Sequence, residues 1–360
     1  MSSRTHRTAA LACAGLLAAA LTGTSATAGA QQVRAVDGLS GPRGLGISPR
    51  GTTVVTEANG KVSRVIKAGD QRGTTEKIGK VPAQFIAPAV AVGRGGEVWV
   101  LTVGGEKPTD GAGTLYLLED GKRHEVANIQ RWQRQNPDPY DLEGRAKESN
   151  PYGVAAMADG SAVVADAANN SVVHVTRDGE VTHVARVKPR VVAMPAGYAD
   201  PELPPAGTPM PAEAVVTSVT VGPDGAIYLG ELRGFPATPG TSEIWRVEPG
   251  ATGAVCNPKK PQKGECTRVA DGLTSVVSLA SGRGGALYAA ELSKKSWFAV
   301  ENEVAGSEEG SVIRIGHDRD VRRELSPGKV VLPGSVAVGR GGHAFVSGPI
   351  FGPGQVMKVG

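Results

Sequence analysis

The chain has 360 residues, with 39 Lys and Arg against 35 Asp and Glu, 50 Gly, 25 Pro and an aromatic content of 4%. Nucleic-acid binding draws on a clustered basic excess, so this near balance excludes a polyanion as the main partner. So few rings also exclude a broad polysaccharide groove built on aromatic platforms. No Gly-x-Ser-x-Gly elbow, His-Glu-x-x-His pair or phosphate loop ending Gly-Lys-Ser/Thr occurs, so the common hydrolase and nucleotide-binding signatures are missing.

Residues 1–30 read as a secretory signal peptide. Arg4, His6 and Arg7 form a basic start, Ala9 to Leu21 is an uncharged apolar run, and Ala26-Thr27-Ala28 and Ala28-Gly29-Ala30 are small-residue cleavage sites. The run is too short to span a bilayer, and no later segment is long and apolar enough, so no membrane span is expected. Removing Arg4 and Arg7 leaves 37 basic residues against the same 35 acids. Export also suits Cys256 and Cys266, the two cysteines left after Cys13 departs. They flank a Lys/Pro/Gly loop with no nearby histidine, and are expected to form one disulfide of structural role.

Residues 31–360 repeat one pattern six times: a short apolar strand, a glycine turn, then a second apolar strand. The first strand and turn read PRGLGISPRG (42–51), PAVAVGRGG (88–96), PYGVAAMADG (151–160), TSVTVGPDG (217–225), SLASGRGG (278–285) and GSVAVGRGG (334–342). Second strands follow as TTVVTE, EVWVLT, SAVVAD, AIYLGE, ALYAAE and HAFVSG. Third strands are KVSRVI, TLYLLE, SVVHVT, EIWRVE, SVIRIG and QVMKVG. Fourth strands EKIGKV, HEVANI, VTHVARV, CTRVADGL and RRELSP follow all but the last, and the missing copy is VRAVDGL at 33–39. Repeats of this kind build a propeller. The chain is therefore expected to be an all-β, six-bladed β-propeller with four-stranded blades, closed by its N-terminal strand, which removes the open edge. Helical patterns are absent.

NPYGVAAMADGSAVVADAANNSVVHV (150–175) resembles the NHL-type propeller repeat. With PAEAVVTSVTVGPDGAIYLGELRGFPATPG (211–240) and the WQRQN insert (132–136), the whole mature chain is similar to the ScyD/ScyE family of secreted propellers. That resemblance implies a secreted, extracellular propeller and assigns no activity, since the family has none established. Ser278 stands where the family pattern carries Asp, which weakens a metal site on that strand.

Loop lengths distinguish the two faces. First-to-second turns are short in every blade, whereas 103–112, 129–149, 187–214, 232–241 and 292–309 are long and fall on the opposite face, where binding sites on rigid scaffolds usually sit. The principal pocket is expected at that end of the channel, near Arg43, Asn150, Glu213 and Ser218, with Glu231 alongside. Trp132, Tyr140, Tyr198, Phe235, Trp297 and Phe298 lie in these segments, and Phe351 in the second-to-third connection of the last blade. They either cover a ligand mouth or pack the loops on one another. Six residues beyond each turn glycine stand Glu57, Thr102, Asp166, Glu231, Glu291 and Gly348. Four of these six are carboxylates, suited either to a cation or to capping backbone N–H groups. Calcium takes oxygens from several residues. Asn150 and Glu213 are the residues best placed for it, with Asp271 a third, so no resident metal is assigned and calcium is the one ion to test.

The expected function is that of an extracellular ligand-binding or interaction module, a monomer whose partner is a small molecule or an extracellular protein. The alternative is a lactonase-like hydrolase, calcium-assisted, with its site at the channel mouth.

Overall fold

A computed structural model of the chain describes residues 34–67, 70–104, 109–198 and 200–360. The signal peptide expected over 1–30 lies outside them. Blade one is Leu45–Ile47, Thr53–Thr56, Lys61–Val65 and Thr75–Lys80, and blade two is Ala89–Val92, Val98–Leu101, Thr114–Glu119 and Lys122–Asn128. Blade three comprises Pro151–Ala156, Ala162–Asp166, Ser171–Val175 and Val181–Val187; blade four comprises Val216–Val221, Ile227–Glu231, Ser242–Val247 and Cys266–Leu273. Blade five has Val276–Ser281, Leu287–Glu291, Ser311–Ile315 and Arg322–Glu324. Blade six takes Ser335–Val338, Ala344–Gly348 and Pro353–Val359, with Arg34–Ser40 as its outer strand. Each first strand contacts the first strands of the neighbouring blades, and blade six meets blade one, so the ring is closed.

The residues explain both the strands and their stacking. Short runs of Val, Ile and Ala favour a pleated surface, and side chains alternate between its faces. In blade three, Ala162 and Val164 pack with Trp99, Leu101 and Leu115 of blade two. Val163 and Ala165 pack instead with Val216, Leu229 and Trp245 of blade four. The second strand is therefore buried on both sides, and the core is a series of layers between blades rather than one central mass. All six turn glycines have positive φ, from 75° at Gly285 to 101° at Gly96, which is why no other residue type stands there.

Closure follows the expected pairing over the described residues. Arg34–Ser40 runs antiparallel to Pro353–Val359, with Val36 opposite Val356 and Ser40 opposite Pro353. The strand buries Val36 and Leu39 against Leu45, Val55, Ala337 and Val356, across the seam with blade one.

Three features depart from the strand reading. One-turn helices, Ile129–Gln133 and Trp297–Glu301, open two of the long loops. The 187–214 segment folds into a two-stranded ribbon, Arg190–Ala193 against Pro209–Ala212. Ala254–Cys256 crosses from blade four to add a fifth, parallel strand to blade three, beside Val181–Val187. The Cys256–Cys266 disulfide is formed, with Cα atoms 4.9 Å apart. It joins the extra strand of blade three to the outer strand of blade four, so it staples two blades and not just the ends of one loop. Among the described residues, no helix is long and apolar enough to cross a membrane.

Candidate functional site

The channel along the propeller axis is divided by a girdle of one apolar residue per blade: Leu45, Val90, Val154, Val219, Leu279 and Val336. On the long-loop side of the girdle only about 60 Å³ remains. Arg43 and Ser218 line this remnant, with Tyr152 and Ser278. The larger channel void, about 600 Å³, opens at the short-turn end. A separate cleft of about 420 Å³ lies at the 129–149 loop, lined by Gln130, Arg134 and Arg145, but within the channel the long-loop side is the narrower end.

The physical reason is Arg43. Its guanidinium reaches from blade one to Ala87 O at 3.1 Å and to Tyr152 O of blade three, and stacks 3.8 Å from the centre of the Tyr152 ring. A side chain this long, only 3% exposed, fills the mouth it was expected to line. Close approach of the first strands tightens this end further: a Cβ on Gly153 would lie 2.7 Å from Thr217 O. Ser218 donates its hydroxyl to Gly230 O at 3.3 Å and is 2% exposed.

Asn150, Glu213 and Glu231 do not line that remnant, and each is held by protein donors. Asn150 Oδ1 accepts from Gly104 N at 3.1 Å. Glu213 accepts from Leu142 N at 2.7 Å and from Asn170 Nδ2 at 3.1 Å, so both of its oxygens hold the 137–142 segment and the blade-three turn in place. Burial raises its pKa above the usual carboxylate range. Asp271 is ion-paired with Arg190 at 2.7 Å and Arg268 at 3.1 Å. Among the described residues, no three His, Cys, Asp or Glu side chains converge on one point. The side chains considered for calcium thus each have oxygens engaged by protein groups.

Three of the four acids at the ends of the second strands act as latches, and the fourth, Glu231, is held by Arg233 and Trp245. Glu57 accepts from Ser40 N at 3.0 Å, Asp166 from Asn150 N at 2.8 Å, and Glu291 from Thr274 N at 2.7 Å. Asn150 and Thr274 lie in the segments entering the first strand of the same blade, and Ser40 ends the closing strand that leads into blade one. The carboxylate therefore pins a strand entry to the strand beside it, which explains its recurrence. Asp166 is the most enclosed, and burial pushes its pKa up to about 6 despite bonds from Ser149, Asn150 and Asn169. A raised folded pKa means the fold binds this proton more tightly than the unfolded chain does. The group's contribution is complete below its unfolded value near 4 and is lost as pH rises through about 6, a change of up to about 3 kcal/mol. Asp166→Asn keeps the acceptor oxygen without the titration. Urea unfolding at pH 4 and pH 7 should show the wild type losing stability relative to the variant; parallel pH dependences would refute this account.

The loop aromatics pack against each other. Phe298 meets Tyr198, Phe235 and Trp297 with ring centres 4.6, 5.4 and 5.7 Å apart, and Trp297 Nε1 donates to Arg233 O at 2.7 Å. Trp132 packs against His183 with ring centres 4.7 Å apart and the planes tilted by 59°, and the half-buried imidazole is driven down to a pKa of about 4 by burial and by Arg186. The rings secure the loops rather than forming an open platform.

What sequence reasoning missed is the short-turn end. Beyond the girdle, Ile47, Val92, Ala156, Val221, Ser281 and Val338 form the wall of an open well. Its rim is Pro49, Arg94, Ala158, Pro223, Arg283 and Arg340, each two residues before its turn glycine. The available signal was the Gly-Arg-Gly-Gly turn, written three times at 93–96, 282–285 and 339–342.

No protein-family model matches the sequence, and no curated protein matches it. Solved structures do resemble the fold. A glucose dehydrogenase is 14% identical with a TM-score of 0.57, over 92% of this chain and 99% of that one. A gluconolactonase from Xanthomonas campestris is 12% identical with a TM-score of 0.54, over 91% and 89%. The PQQ-bound aldose sugar dehydrogenase of Streptomyces coelicolor is 13% identical with a TM-score of 0.53, over 92% and 98%. What these similarities show is the fold. The chain is a six-bladed β-propeller.

Proposed function

We propose that this is an exported, ScyD/ScyE-like propeller acting as an extracellular binding module, which takes a small organic ligand in the well at the short-turn end of its channel. The observation that carries this reading is the well itself: about 600 Å³ of space walled by six blades, within the size range of small-molecule sites. The opposite mouth is filled by Arg43. The intramolecular disulfide agrees with an oxidising, extracellular setting. A lactonase-like reaction shares its scaffold with the gluconolactonase fold, but Glu57, Asp166 and Glu291 are engaged as latches, Glu231 is paired with Arg233, and no three acidic or histidine side chains converge among the described residues. The binding reading is therefore preferred.

Native mass spectrometry of the protein purified from its host tests the proposal. The wild type should retain a small organic molecule. Ala156→Trp, which places an indole in the half-open wall, should lose it with an unchanged melting temperature. No retained molecule, or equal retention by the variant, would overturn the assignment.

A further inference from the structure

The well is amphiphilic, and its polarity is uneven around the ring. Five of the six wall positions are apolar, and the sixth, Ser281, donates its hydroxyl to Val221 O at 2.7 Å. Above this wall the rim changes character by blade. Blades five and six, which are neighbours, carry Arg283 and Arg340, and blade two carries Arg94 across Pro49 of blade one. All three arginines are exposed, and among the described residues none has a carboxylate partner. Blades three and four have no charged residue at the equivalent rim positions, Ala158 and Pro223. Their turns carry acids one residue further on, and both are engaged locally. Asp159 accepts from Ser161 N at 3.0 Å, and Asp224 pairs with Arg246 at 2.9 Å. One arc of the rim therefore presents three unpaired guanidiniums over an apolar cup.

Guanidinium groups recognise carboxylate, sulfate and phosphate through paired N–H donors. An apolar wall gains by covering apolar surface. A ligand satisfying both has an apolar body and an anionic head. We infer that the well binds a small amphiphilic organic anion, its apolar body against the Ile47, Val92 and Val221 wall and its anionic head on Arg94, Arg283 and Arg340. This inference rests on the reading of the well as a ligand site and adds the chemistry of the ligand. It also gives the thrice-repeated Gly-Arg-Gly-Gly turn a role that the fold does not demand, since blades three and four make the same turn without arginine.

The test uses 2-naphthoate, its neutral analogue 2-naphthamide and sodium sulfate, titrated by calorimetry into the mature protein at low and high salt. Naphthoate should bind more tightly than naphthamide, and its advantage should shrink as salt screens the rim. Sulfate alone should bind weakly, lacking the apolar body. Replacing Arg94, Arg283 and Arg340 together by Ala should weaken naphthoate on the order of tenfold, as expected for three exposed charge contacts. The same variant should leave naphthamide affinity and the melting temperature unchanged. Ala156→Trp should weaken both aromatic probes. Equal binding of naphthoate and naphthamide, unaltered in the triple variant, would overturn the anion inference and leave the well as a neutral-ligand site. Failure of both aromatic probes to bind would overturn the inference together with the ligand-site reading. Tight sulfate binding that survives Ala156→Trp would replace the amphiphile with a simple anion.

Discussion

Deleting residues 31–40 should unfold the propeller rather than trim it. The strand Arg34–Ser40 is the outer strand of a blade whose other three strands come from the far end of the chain. Its removal exposes the ladder groups of Pro353–Val359 and opens the seam in which Val36 and Leu39, each 3% exposed, pack against blade one. Two buried aliphatic side chains contribute about 1.5–3 kcal/mol each, and every ladder bond about 1 kcal/mol more. The total is comparable to the whole net stability of a typical domain, about 5–15 kcal/mol. The truncated protein should be insoluble or lack a cooperative transition in circular dichroism. Leu39→Ala supplies a graded version, with an expected loss of about 2–5 kcal/mol. A truncated protein that melts at the wild-type temperature would rule out closure by this strand.

Replacing Arg233 by Met should produce the largest loss from any single side chain in blade four. Arg233, 1% exposed, donates to both Glu231 and Glu243, each 0% exposed, with the Glu243 contact at 3.1 Å. Trp245 Nε1 adds a bond to Glu231 at 2.7 Å, while Arg268 and Arg190 reach Glu243 at 2.6 and 3.2 Å. Burial pushes the Glu231 carboxyl up while Arg233 holds it down. Removing the central guanidinium leaves Glu231 with no cationic partner, at a cost of about 3–5 kcal/mol. The deficit should be greatest at alkaline pH and should shrink as pH falls, because protonation then relieves the buried charge. Glu231→Gln in the Arg233→Met background should recover part of the stability by removing that charge at every pH. Guanidinium unfolding at pH 8 and pH 5 reads all three proteins. A variant as stable as the wild type at pH 8 would mean that the cluster already holds a neutral carboxyl and needs no counter-ion, which would sink this account.

Both predictions draw on contacts between distant parts of the chain, and that separates what was legible from what was not. Strand order, six blades, the closing strand and the Cys256–Cys266 pair could be read directly. Each rests on local signals: alternation of side chains along a strand, glycines whose φ must be positive, and two cysteines 10 residues apart. The latches formed by Glu57, Asp166 and Glu291 were half legible. Their recurrence pointed to a role in the fold, while the N–H groups they hold lie 16 or 17 residues back along the chain.

Which end of the channel stays open was decided only in three dimensions. Loop length and composition pointed to the long-loop face, yet Arg43 closes that mouth by bonding Tyr152 O, 109 residues away. Nothing local to Arg43 indicates that its side chain turns across the axis instead of outward. The three rim arginines lie in separate blades and form one arc only because the ring places blades five and six beside one another and blade two a single blade beyond. A repeat specifies each blade from its own residues. The channel belongs to none of the blades, because each contributes one strand edge to it, and so its open end and its charge emerge only when all six are assembled.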